Sequence, residues 1–249
     1  MNLQRLPLLK HLFALATFGV AMGFFEAVVV VYLRQLFYPG GFAFPLRPMP
    51  PGLMSIEALR EISTLVMLIA VSVLAGSRFL NRFSCFFIIF GVWDISYYVW
   101  LKVLVNWPST LLDWDVLFLI PVIWIGPVLA PVICSATMIG FGGYFLVHLN
   151  KGYAVRIRHY EWLLIGIGTS LIFIAFVRDV VNIIIRGGFY SRLWTLGADP
   201  EFQRCITAFV PSSFNWPLFI MGEVFICCAL VSFGRRVKQM SRQAYLGQV

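Results

Sequence analysis

The chain has 249 residues, of which 60% are hydrophobic, 16% aromatic and only 12% charged, with a formal net charge of +8. Soluble domains carry about 25% charged residues, so this composition, with a mean hydropathy of +0.87, excludes a soluble globular protein and points to a polytopic membrane protein. The basic excess then belongs to helix ends at a bilayer surface, not to nucleic-acid binding.

The N-terminus carries Arg5, Lys10 and His11 ahead of a long apolar run. No early cleavage site of small residues interrupts that run, so it reads as a retained first span over 11–37. Glu26 lies inside it and Arg34 near its far end. A loop with Pro39, Gly40, Gly41, Pro45, Pro48, Pro50 and Pro51 follows and cannot continue a helix. The second span is expected over 56–76, with Ser55 as its N-cap and Glu57, Arg60 and Glu61 in its first turns. The third is expected over 83–105, with Asp94 central, Tyr98 one turn on and Lys102 near its end.

Residues 111–150 are too long for one crossing and short for two. Cytoplasmic loops collect Lys and Arg. Placing Arg78 and Arg82 on the same side as Lys151, Arg156 and Arg158 requires a single crossing between Lys102 and Lys151. Residues 111–124 therefore read as an interfacial or re-entrant half-helix carrying Asp113, Trp114 and Asp115, and the fourth span covers 127–149. The fifth covers 161–185, with small residues Gly166, Gly168, Thr169 and Ser170 in its first half and Arg178, Asp179 and Asn182 in its second. After an outer loop, the sixth covers 214–234 with Glu223 inside it. The basic tail Arg235, Arg236, Lys238 and Arg242 closes the chain.

The expected fold class is thus all-α. It is one transmembrane domain over 1–249, a polytopic bundle of six spans plus the half-helix, with both ends cytoplasmic. Seven spans is the alternative if 111–124 crosses. No internal repeat supports an inverted-repeat transporter.

Span direction alternates and each helical residue rises about 1.5 Å. Glu26, Asp94 and Glu223 then fall at middle to outer-middle depth. Glu57, Arg60, Glu61, Arg178 and Asp179 fall in the outer third, and Asp113 and Asp115 on the elbow; in this scheme Glu161 is a cytoplasmic acid. Charges at such depth are expensive and mark functional sites by default. Helical spacing puts Glu57 and Glu61 on one face with Arg60 placed to bridge them. It puts Asp94, Tyr98 and Lys102 on a second stripe, and Arg178, Asn182 and Arg186 on a third. The expectation is a polar pocket in the outer half of the bundle, holding Glu26, Arg60, Glu61, Asp94, Tyr98, Asp113, Asp115, Arg178, Asp179 and Glu223 as candidate substrate or ion residues.

The competing readings are structural. Acids near a helix start also favour the dipole, and Arg178 and Asp179 can neutralise each other. Tryptophans near span ends are interfacial belt residues first. His11, His148 and His159 fall at the cytoplasmic boundary, away from the acids. The sequence lacks HExxH, CxxC, a Walker loop and GxSxG. Four of the five cysteines lie in apolar runs and no disulfide framework is expected. No cofactor is predicted, although paired carboxylates would suit a divalent cation.

The phrases Trp93-Asp94-Ile95-Ser96-Tyr97-Tyr98-Val99-Trp100-Leu101-Lys102 and Leu117-Phe118-Leu119-Ile120-Pro121-Val122-Ile123-Trp124-Ile125-Gly126-Pro127 resemble uncharacterised polytopic membrane proteins of bacteria, most strongly over 23–131. The resemblance implies a bacterial inner-membrane location and no activity. Three functions stay open: binding or passage of a small solute or cation, with proton coupling as one form of it; an intramembrane enzyme acting on an outer-leaflet lipid or lipid-linked substrate; and a subunit or scaffold of a larger membrane complex. The expected partners are the lipid bilayer, a small solute, ion or lipid, and another membrane chain or a second copy.

Overall fold

The structure, a computed structural model, describes residues 7–150 and 156–246; the side chains of 193–195, 197–198, 238 and 240–246 fall outside that description. Arg5 and Lys151, and the side chains of Lys238 and Arg242, therefore lie outside the described residues. Seven α-helices and one short hairpin follow in the order α1 (Leu8–Phe37), α2 (Pro51–Ala75), α3 (Phe79–Val105), β1 (Trp114–Phe118), β2 (Trp124–Pro127), α4 (Leu129–Asn150), α5 (His159–Arg186), α6 (Pro200–Ala208) and α7 (Trp216–Leu246). Six helices, all but α6, are long and apolar enough to cross a membrane. The chain is a multi-pass, all-α membrane bundle.

Small residues set the crossings. A Cβ on Gly19 or Gly23 of α1 would meet Val92 or Ser96 of α3 at 2.8–2.9 Å. The order of these contacts makes α1 and α3 parallel. Gly91 of α3 lies against the Ser135 carbonyl, and Gly142 of α4 against the Ser84 carbonyl, so α3 and α4 run antiparallel. A Cβ on Gly168 of α5 or on Gly222 of α7 would meet the other's carbonyl oxygen at 2.6 Å or 2.7 Å. Close backbone approach through small residues is how helices associate where lipid removes the hydrophobic driving force. Helices α1 and α2 both approach α3 more closely than each other, and α2 and α5 make no comparably close backbone approach. Their separation leaves a gap in the wall.

The helices thus define two ends. The start of α1, the 76–78 turn, the end of α4, the start of α5 and the end of α7 share one, the termini end. The hairpin, the proline-rich loop and α6 share the other, the hairpin end. Glu161 is alone among the eleven acidic residues in the termini half. There its carboxylate accepts from Arg236 Nε at 3.0 Å and forms an ion pair with the same guanidinium, tying α5 to α7.

Several expectations need correction. Residues 111–124 form no half-helix; Trp114–Phe118 and Trp124–Pro127 pair as an antiparallel hairpin. The physical reason lies in the composition: β-branched and aromatic residues flank a turn at Pro121, and Gly126 and Pro127 cannot extend a helix. The strands satisfy each other's backbone groups, as irregular backbone packed against a bundle must. Helix α2 begins at Pro51, not at a Ser55 cap; proline is pre-organised for the first helical position. Ser55 instead donates back to the Pro51 carbonyl at 3.0 Å. The loop after α5 contains a 3-10 run over Phe189–Ala198 and the helix α6, capped by Asp199, which accepts from the Glu201 and Phe202 amides. Cys205 lies on α6 and not in an irregular loop.

Candidate functional site

A cavity of about 850 Å³ fills the space left between α2, α3, α4, α5 and the hairpin. Six expected site residues reach its wall: Glu26, Arg60, Glu61, Asp94, Tyr98 and Glu223. They come from α1, α2, α3 and α7 and converge only through the fold.

Glu26 is 8% exposed on α1. It is ion-paired with Arg60 of α2 and accepts from Thr64 Oγ1 at 3.4 Å. Arg60 Nε also donates to Glu57 at 2.7 Å. Arg60 thus bridges Glu26 and Glu57, not Glu57 and Glu61 as the helical spacing suggests. Glu61 instead reaches up to the hairpin, where its two oxygens accept from the Leu119 amide at 3.1 and 2.9 Å. That bond satisfies a backbone donor in the turn that the strand ladder leaves over.

Asp94 accepts from Ser135 Oγ of α4 at 2.7 Å. Glu223 Oε2 accepts from Thr137 Oγ1 of the same helix at 2.9 Å. Cys134, on the same helix, also lines the cavity. Two residues of the wall each carry a buried polar atom without a partner: Glu223 Oε1 and Trp93 Nε1. Glu223 is 9% exposed, so Oε1 has little bulk water to turn to. Leaving such an atom unmade costs about 1–3 kcal/mol, and a group arriving in the cavity would recover that cost.

The hairpin forms the ceiling. Phe118 and Trp124 line the cavity from above, and Trp124 stacks on Phe176 of α5 while its Nε1 donates to the Ile120 carbonyl. Trp93 is 5% exposed. Trp93, in the middle of α3, is therefore internal, and so is Trp124, contrary to the expectation that tryptophans near span ends form an interfacial belt. The floor is apolar, built from Phe83, Phe87 and Phe141 of α3 and α4 and Trp162 of α5. On the α5 side, Gly166, Thr169 and Ser170 line the cavity and are also exposed. The cavity is thus open laterally, towards the space between α2 and α5.

Asp115 sits just outside the cavity on β1 and anchors the hairpin. It accepts from Arg34 at 3.2 Å and from the Tyr98 hydroxyl at 3.3 Å. The Arg34 guanidinium lies 3.8 Å from the Trp107 ring centroid and 4.5 Å from that of Phe42. Burial pushes the Asp115 carboxyl up to about 6, against the lowering effect of Arg34 and of its hydrogen bonds.

The remaining expected residues are elsewhere. Asp113 folds the turn before β1, accepting from the Ser109 amide and hydroxyl and from Thr110 Oγ1. Partial burial raises its carboxyl, but those hydrogen bonds outweigh it and hold the group below the usual range. Arg178, Asn182 and Arg186 are exposed on the outward face of α5, because Phe176, Val177, Val180 and Ile184 take the inward one. Asp179 is half-buried beside Arg178, and neither lines the cavity. Lys102 leaves its stripe and donates to the Pro108 carbonyl at 2.9 Å. His11 meets the Cys85 sulfur at 3.8 Å and His148 the Tyr144 carbonyl at 2.8 Å, both at the termini end.

Sequence reasoning missed Ser135 and Thr137, which hold two of the carboxylates, and Thr64. Thr64 follows Glu57 and Glu61 at helical spacing, so its alignment was visible. Ser135 and Thr137 carried no such sign. Among the described residues no group of three or more His, Cys, Asp and Glu is placed to hold a metal ion. The five cysteines are free.

No family model, no curated protein and no solved structure matches this chain.

Proposed function

We propose that this membrane protein takes an amphiphilic, lipid-like molecule from the bilayer into the cavity between α2 and α5. One observation carries the reading. The cavity opens sideways at Gly166, Thr169 and Ser170, with a polar band at the hairpin end and an aromatic floor at the other. A ligand with a polar head and an apolar body matches that division: its apolar part exchanges acyl chains for the aromatic floor, and its head finds hydrogen-bonding partners in the polar band. The aromatic floor supports this reading over passage of a hydrophilic solute or cation, which would have to cross it.

The orientation belongs to the same proposal. Ten of the eleven acidic residues lie in the hairpin half, while Lys10, Arg78, Arg82, Arg156, Arg158, Arg235 and Arg236 lie at the termini end. By the positive-inside rule this supports cytoplasmic termini and a periplasmic hairpin in a bacterial inner membrane. The ligand's head then sits at the depth of the outer leaflet.

The test is native mass spectrometry of the protein released from lipid nanodiscs. A retained amphiphile at one per chain is expected. Gly166→Trp should abolish it without lowering the melting temperature, because a Cβ at Gly166 meets nothing within 4 Å and the indole would fill the mouth. An unchanged adduct in that variant would sink the proposal.

A further inference from the structure

The charge on the cavity wall is unbalanced. Four carboxylates line it, from Glu26, Glu61, Asp94 and Glu223, against one cation, Arg60. Arg60 is already engaged by Glu26 and by Glu57 behind it. Glu61, Asp94 and Glu223 take their hydrogen bonds from a backbone amide, a serine and a threonine, none of which supplies positive charge. Low-dielectric surroundings make uncompensated carboxylates costly.

The second observation is Glu223 Oε1. The atom is buried, belongs to a residue that lines the cavity, and accepts no hydrogen bond. The vacancy calls for an N–H or O–H donor. The missing charge calls for a cation, and a protonated amine provides both. An anionic head, such as a phosphate or carboxylate, would instead face three carboxylates with Arg60 already committed. The rings of Trp93, Tyr97 and Tyr98 on the same wall are also favourable neighbours for an ammonium group.

Resting on the amphiphile reading above, we infer that the ligand's head is a protonated amine, bound through Glu223 and Asp94 with its chain on the phenylalanine floor. Thr137 and Ser135 then serve as positioning residues that aim these carboxylates from α4.

The experiment uses the full chain in lipid nanodiscs and saturable quenching of tryptophan fluorescence by brominated probes. The Trp162→Phe variant defines the component arising from the cavity floor, where the brominated chain lies. The probes are a brominated hexadecyl amine, the matching alcohol and the matching carboxylic acid, with ethylammonium as competitor. The amine is expected to bind about tenfold tighter than the alcohol, with the acid weakest, because its hydrogen bonds are charge-assisted. Glu223→Gln should erase the preference for amine over alcohol while leaving alcohol binding in place. Asp94→Asn should reduce the preference, and it provides the comparison if the first variant does not fold. Equal affinity for amine and alcohol would overturn the inference and leave the amphiphile reading standing. Competition by ethylammonium as strong as by the long-chain amine would instead overturn the amphiphile reading and keep the cation. No saturable, Trp162-dependent quenching by any probe overturns both.

Discussion

Arg60 on α2 is ion-paired with Glu26 on α1, thirty-four residues away in the chain. The two helices share the apolar cluster that holds Leu15 and Leu68, and this pair, with Glu57 behind it, is their polar link at the edge of the cavity. Arg60 is 19% exposed at its side chain and Glu26 10%. Removing one member of a pair buried to this degree leaves a charge without a partner, which costs about 3–5 kcal/mol.

Arg60→Met should therefore destabilise strongly, and Glu26→Gln in the same chain should recover at least about 1 kcal/mol of the loss. Unfolding of the two single variants and the double variant in a bilayer mimetic measures the coupling. Additive effects would show that the pair carries no net interaction.

The glycines divide into those that need their hydrogen and those that do not. Gly168 and Gly142 each face a backbone carbonyl at 2.6 Å from where a Cβ would sit, while Gly143 and Gly166 face open space. Gly168→Ala and Gly142→Ala should each cost about 1–3 kcal/mol through forced separation of the helices. Gly143→Ala and Gly166→Ala should be neutral or slightly stabilising, since alanine is the better helix former. Matching losses at all four positions would refute the backbone-contact account.

The bundle was legible in the sequence because apolar length and the spacing of Lys and Arg are dictated by bilayer thickness and membrane charge. All six crossings follow from that, including the assignment of one span between Lys102 and Lys151. The convergence of Glu26, Asp94 and Glu223 on one cavity was legible for the same reason: alternating direction places them at a common height. Rotation about each helix axis was not. The outward turn of Arg178 depends on which face of α5 meets α7, and Gly168 decides that only once Gly222 is known to lie opposite. The hairpin was misread because apolar runs over 114–118 and 124–127 fit either period, and only pairing across Pro121 separates them. Arg60's choice of Glu26 over Glu61 is likewise a tertiary contact that local spacing cannot show.

Arg34 holds the hairpin by geometry as well as charge. Its guanidinium lies over Trp107 and Phe42 while an Nη donates to Asp115. Lysine keeps the charge but loses the planar stacking surface and the fork of donors. Arg34→Lys should therefore raise hydrogen exchange in 114–127 nearly as much as Arg34→Ala does, while α4 keeps its protection. Native-like exchange in the lysine variant would reduce the role of Arg34 to charge alone.

The helix α6 should loosen in acid. Hydrogen bonds from the Phe202 and Glu201 amides, with Arg192 nearby, hold the Asp199 carboxyl below its ordinary range. A carboxyl lowered in the folded state stabilises above its unfolded value, near 4, and that contribution fades as pH falls through the lower folded value. Exchange in 200–208, corrected for its intrinsic pH dependence, should accelerate below about pH 4. Asp199→Asn, which still caps but does not titrate, should flatten that response. A pH-independent α6 in the unaltered chain would remove Asp199 as the cause.

Orientation can be read from a single thiol. Cys205 is exposed on α6 at the hairpin end, Cys85 is fully buried, and Cys227 and Cys228 are exposed on the membrane-length part of α7. A charged maleimide reaches thiols in water and not those in acyl chains. If basic residues keep the termini in the cytoplasm, Cys205 faces the periplasm. Intact bacterial cells expressing the chain should then be labelled, and Cys205→Ser should abolish the signal. Cysteines placed at Ser77 and Arg158, on the termini end, should react only after the membrane is opened. Labelling of Cys205 confined to opened cells would invert the bundle. The carboxylate band would then sit at the depth of the inner leaflet, and the cavity would draw its ligand from there.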